Sequence, residues 1–178
     1  VGIDYRPKDG KLYAVGLQGN LYTLNPNNGE AIFLRKLIAD PSDTTDGNAS
    51  FTQIMGDANL ITVNFNPAAD RLRVISNTGQ NLRINVDTGA TITDGTINLA
   101  TGTAAVVAGA YTNAFAGTGS TKLYSIDQNS DRIYLQNANA GTLGNSTALG
   151  ADINTNGGGG FDIDPVNNVG FAALKLAS

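Results

Sequence analysis

Three oxygen-bearing side chains recur at one place in a repeated strand pattern: Asp4 within Ile3-Asp4-Tyr5, Asn64 within Val63-Asn64-Phe65 and Asp162 within Phe161-Asp162-Ile163. In a strand the side chains alternate, so the flanking apolar residues take one face and leave Asp4, Asn64 and Asp162 on the other. If these strands line a common channel, the three oxygens could converge on a hard cation such as Ca²⁺. The same groups suit capping of turns or holding of channel water, and a further unit carries Ala110 at this place, so a ligand ring would be incomplete. A second oxygen-rich stretch, 40–48, offers Asp40, Asp43 and Asp46 around a turn-forming Gly47. Its spacing departs from the EF-hand loop and lacks the closing Glu, so it equally describes a solvated loop.

The chain has no His and no Cys, which removes Ser-His-Asp and Cys-His triads, thiolate or imidazole zinc sites and disulfides. Carboxylate chemistry remains: Asp-based glycoside hydrolysis, or calcium-assisted activation of water. No Asp sits in a recognisable catalytic motif, and no catalytic residue is assigned. Arg71, Arg73 and Arg83, with Asn64 and Asn66, are expected on outward strand faces, where they would meet an acidic polysaccharide or simply cover apolar surface and pair with Asp. Tyr13, Tyr22, Tyr111, Tyr124 and Tyr134 fall at positions better suited to a core than to a sugar platform. Two N-x-S/T triplets, at Asn48 and Asn145, lie in stretches expected to be irregular.

The elements that would position these groups are set by an internal repeat. Residues 3–29 align without a gap on 63–89, pairing Pro7 with Pro67, Leu12 with Leu72, Gly19 with Gly79, Asn25 with Asn85 and Gly29 with Gly89. Within each copy, short alternating stretches are split by Asn, Asp and Gly turns, the pattern of antiparallel hairpins. The first unit predicts strands over 2–6, 11–16, 20–25 and 31–37, and the second over 61–66, 71–76, 81–86 and 90–93. A diverged third unit predicts 106–112, 122–127 and 131–136 and is short of one hairpin. A fourth opens at Gly160 and runs to Leu174. The fold class is therefore all-β: a β-propeller of four-stranded antiparallel blades, with about three and a half repeats visible, as part of a larger ring. The chain reads as one domain, 1–178, with units near 1–37, 61–97, 106–149 and 159–178. Segments 38–59 and 137–160 interrupt the repeat, and a short helix is expected near 51–57.

Composition narrows the class. Hydrophobic residues make up 41% and charged residues 15%, which fits a folded body rather than a disordered one. A net charge of −4, with Lys and Arg scattered, argues against nucleic acid, whose binding needs clustered cations. No apolar run is long enough to span a bilayer as a helix. Abundant Gly, Asn and Thr with a single Glu, Glu30, suits a secreted or surface protein.

Several phrases carry a family likeness: residues 1–7, Leu21-Tyr22-Thr23-Leu24-Asn25-Pro26, the run 70–76, the run 79–85, Ala110-Tyr111-Thr112-Asn113 and 160–163. They resemble a bacterial family known as domain of unknown function 4394, grouped with the β-propellers. The resemblance implies a propeller fold and export, and implies that the family's opening blade and closing segment lie outside this sequence. It brings no catalytic residues. The expected function is a non-catalytic, secreted or cell-surface module in a structural or binding role, such as a subunit of an extracellular filament, layer or matrix. Self-association through terminal strands is one partner mode, and a polysaccharide or surface protein another. The alternatives are a calcium-dependent hydrolase or lyase with its site in the channel, and a glycan or peptide receptor using the long loops.

Overall fold

The structure is a computed structural model that describes residues 2–43, 50–154 and 157–177. Among these residues every regular element is a strand. The first sheet holds β1 (Gly2–Tyr5), β2 (Leu12–Val15), β3 (Asn20–Leu24) and β4 (Ala31–Lys36), in that order and antiparallel throughout. The chain then crosses to the second sheet as β5 (Ile38–Ala39). That strand lies parallel to β9 (Ala90–Thr93), which is followed inward by β8 (Asn81–Ile84), β7 (Arg71–Ser76) and β6 (Ile61–Asn66). The third sheet runs β10 (Val106–Tyr111), β11 (Leu123–Asp127), β12 (Arg132–Gln136) and β13 (Leu143–Ala148). A hairpin of β14 (Gly159–Ile163) and β15 (Gly170–Leu174) follows.

Repeated turn chemistry sets the hairpins. Asn25 and its equivalent Asn85 each accept, through Oδ1, the N–H two residues on, while Gly29 and Gly89 return an N–H to the Asn carbonyl with φ of 74° and 82°. That left-handed backbone is open to Gly at little cost, which is why the Gly recurs in both copies.

The first strands of successive sheets lie side by side, β1 against β6, β6 against β10 and β10 against β14. The second and third sheets thus each bury one face on the element before and the other on the element after. Between the first and second sheets the core is apolar, with Tyr13, Val15 and Leu21 meeting Val63, Phe65, Leu72 and Leu82. Between the third sheet and the last hairpin, Ala108 and Ile126 pack against Phe161 and Leu174. Linkers fasten the first two junctions: Ile38 N–H donates to the Gly89 carbonyl, and Asn98 N–H to the Gly141 carbonyl.

Four expectations are corrected. The third unit is not short of a hairpin, because β13 completes a four-stranded sheet and turns part of segment 137–160 into regular structure. Residues 51–57 form no helix. Phe51 and Ile54 instead enter the first core from irregular backbone. The Asn145 triplet lies on β13 rather than in an irregular stretch. Arg73 is not outward but 3% exposed, because the face it shares with Asn64 is covered by the third sheet.

Candidate functional site

The alternation expected for Asp4 and Asn64 holds, and each side chain is directed at the next first strand. Asp4 Oδ2 accepts the N–H of Phe65 at 2.6 Å, and Asn64 Oδ1 accepts the N–H of Tyr111 at 2.9 Å. Phe65 and Tyr111 are themselves equivalent by repeat, so one device locks two successive junctions. The third junction has Ala110 at this place and no side-chain acceptor. There the N–H of Ile163 turns to its own neighbour, Asp162 Oδ1, at 2.8 Å. Tyr5 N–H is served the same way by Asp4 Oδ1. Asp162 is exposed at the outer face of the last hairpin, beside Phe171.

Burial dominates the ionisation of Asp4. Desolvation pushes its pKa up to about 7, the two backbone N–H bonds oppose the rise, and the charge of Asp162 adds to it. The sign for stability follows from proton binding. Between the ordinary value of 3.8 and about 7 the folded state holds the proton that the unfolded chain has released, so stability falls as pH rises through this window. Asp4→Asn keeps the acceptor for Phe65, gives up the exposed bond from Tyr5 N–H and removes the charge, reproducing Asn64 of the next unit. At pH 8 it is expected to raise stability by about 1–2 kcal/mol. It should also flatten the stability profile between pH 4 and 7, read as Tm against pH. A lower Tm for the variant at pH 8 would contradict this account.

Of the 40–48 stretch, Asp40 and Asp43 fall among the described residues. Asp40 Oδ1 accepts from the N–H and Oγ of Ser42, bonds that hold its carboxyl below the usual range. Asp43 is buried and divides its oxygens, Oδ2 to Phe51 N–H and Oδ1 to Thr93 N–H, both at 2.9 Å. It thereby pins the two ends of this segment to the second sheet. Asp46, and Asn48 of the first N-x-S/T triplet, lie outside the described residues. Among the described residues no group of three or more acidic side chains is arranged to hold a metal ion.

Two charged clusters lie at the junctions. Arg6, 3% exposed, forks onto Asp70 through Nε and Nη2 at 2.7 and 2.6 Å, and onto Asp87 through Nη1 and Nη2 at 2.8 Å each. These bonds raise the Arg6 pKa further and hold Asp70 and Asp87 below the usual carboxylate range. Between the second and third sheets, Arg73 Nη1 reaches Asp94 at 2.6 Å and Asn81 at 2.8 Å. Its Nε donates to Tyr111 Oη at 3.3 Å and its Nη2 to Asn139 at 3.0 Å. Arg83 closes on Asp94 from the other side.

The sequence reading missed this buried network, although the repeat contained its signal. Arg73 stands where the first unit has Tyr13, and Asn81 where it has Leu21. The ring contact of Tyr13 with Phe65, at 5.4 Å, is replaced one junction later by the hydrogen bond of Arg73 to Tyr111. Two polar exchanges at core positions of a repeat imply a polar junction.

Such a fold and such groups define a class: an all-β repeat protein of antiparallel four-stranded sheets, locked through the side chains of their first strands. The model of the domain of unknown function DUF4394 matches residues 1–178. The chain belongs to that family. Among solved structures it is similar to an auxiliary nutrient binding protein from Bacteroides thetaiotaomicron, with 14% identity and a TM-score of 0.50 over 96% of this chain and 44% of that one. It is also similar to U3-55K, with 12% identity and a TM-score of 0.50 over 90% of this chain and 41% of that one. At these identities the likeness is one of fold alone, and the chain spans less than half the length of either structure. The search of curated proteins gave no match.

Proposed function

We propose that this chain forms consecutive blades of a β-propeller and serves a secreted or cell-surface protein as a non-catalytic module, in a structural or binding role. The observation that carries the reading is how the acidic groups are used. Asp4 holds the backbone of the next sheet, Asp43 ties a linker down, and Asp70, Asp87 and Asp94 neutralise Arg6, Arg73 and Arg83. A catalytic carboxylate is directed at substrate, and these carboxylates are directed at the protein's own donors. Side-by-side first strands support the propeller arrangement. So do the exposed Ile3, Tyr5 and Phe33 on the first sheet and Phe171 on the last hairpin, faces against which further blades would pack.

The alternative is a calcium-dependent hydrolase or lyase with Asp4, Asn64 and Asp162 around the cation. Calcium titration separates the two readings. A module of the proposed kind shows no calcium-dependent rise in Tm, either as the unsubstituted chain or as Asp162→Asn. A calcium-dependent rise that disappears in Asp4→Asn and Asp162→Asn would favour the enzyme.

A further inference from the structure

We infer that the cleft between the second and third sheets, at the Asn66 end of β6, is a binding site for a carboxylate-bearing ligand. The cleft has a volume of about 520 Å³, within the range of small-ligand pockets. Tyr111, Leu123 and Leu135 form its apolar lining, and Asn66, Lys122, Gln136 and Asn137 supply its polar groups.

What distinguishes it is the sign of those groups. Asn66 Oδ1 is occupied by the N–H groups of Ala68 and Ala69, and Asn137 Oδ1 by that of Ala140. Both amides therefore keep donor hydrogens and little acceptor capacity. Lys122 is exposed and makes no ion pair among the described residues, so it adds a cation. Gln136 is 4% exposed, its Oε1 accepts from Ser125 Oγ at 2.6 Å, and its buried Nε2 has no partner. A buried donor left unpaired is unfavourable, and because Gln136 is a lining residue of the cleft, a small turn of its amide would give Nε2 a partner when an acceptor enters. Donors and a cation around one opening select an anion with several acceptor oxygens, and a carboxylate supplies two, each able to take more than one bond. The wall behind them is polar as well, since Tyr111 Oη already accepts from the buried Arg73.

This site rests on the binding form of the function proposed above and names its ligand class. The test uses the whole chain and two probes, glucuronate for an acidic sugar and N-acetylglutamate for a peptide-like acid, followed by calorimetry and by ligand-observed NMR. Glucose serves as the neutral control. At least one acid is expected to bind at least 10-fold more tightly than glucose, and which one does so identifies the source of the carboxylate. Lys122→Met, at an exposed position, should weaken binding about 10-fold with Tm unchanged. Gln136→Leu should abolish it. If Gln136→Leu fails to fold, Asn66→Ala, which keeps Lys122 and Gln136, is expected to weaken binding several-fold.

Neither acid binding at 10 mM, glucose binding as well as the acids, or Lys122→Met binding as the unsubstituted chain does would each overturn the site. The NMR spectra keep the two readings apart. Ligand recovered unchanged agrees with a non-catalytic module, whereas turnover of a bound acid would retain the cleft and remove the non-catalytic reading.

Discussion

Asp94→Asn is expected to destabilise the protein by about 3–5 kcal/mol, the range for stranding one member of a buried ion pair. Arg73 and Asp94 are 3% and 2% exposed in their side chains, so water cannot replace the lost charge. The amide is nearly isosteric with the carboxylate, which leaves packing intact and isolates the electrostatic part. Arg73 would keep Asn81, Tyr111 and Asn139 as partners, all of them neutral. Arg83, whose side chain is 32% exposed, can turn to solvent and contributes less. Against a total stability of about 5–15 kcal/mol for a typical domain, such a loss is large. Urea denaturation should show it as a lower midpoint at similar slope. Arg73→Met combined with Asp94→Asn should recover part of the loss, because an uncharged pair has no stranded charge to desolvate. A loss under 1 kcal/mol for Asp94→Asn alone would mean that this junction does not depend on the pair.

Arg6→Ala should cost about 2–3 kcal/mol, from charge-assisted bonds lost at a buried guanidinium. The figure is smaller than for Asp94 because the abandoned partners, Asp70 and Asp87, are 24% and 56% exposed in their side chains and regain water. The pH dependence carries a second signature. Arg6 lowers the pKa of Asp70 below 3.8, so the folded state releases a proton that the unfolded chain would still hold. The associated stability is present above pH 4 and is lost as pH falls through the depressed value. Acid unfolding of Arg6→Ala should therefore be shallower than that of the unsubstituted chain. Identical acid limbs would show that Arg6 acts only by filling space.

How far these groups could be foreseen depends on what each one answers to. Hairpin order, turn residues and the facing of Asp4 and Asn64 are local properties. Strand alternation and left-handed Gly turns are written within ten residues, and a gapless copy sixty positions on doubles the signal. Even the divergence of the third unit hid only β13, whose Gly144-Asn145-Ser146-Thr147 lacks the apolar alternation that marks a strand. The sequence by itself thus determined an all-β repeat chain and which side chains share a face.

Tertiary structure alone decided what those faces meet. That Asp4 meets the amide of Phe65 depends on how β1 lies against β6, a contact between residues 61 positions apart. Arg73 reads as an outward residue on a half-exposed strand until the third sheet covers it, and Gln136 becomes an unpaired donor only in that same junction. The physical reason is that alternation fixes the side of a sheet a residue occupies, whereas burial, charge pairing and cleft formation are set by the neighbouring sheet. That neighbour is chosen by packing over long sequence separation, which no local pattern encodes.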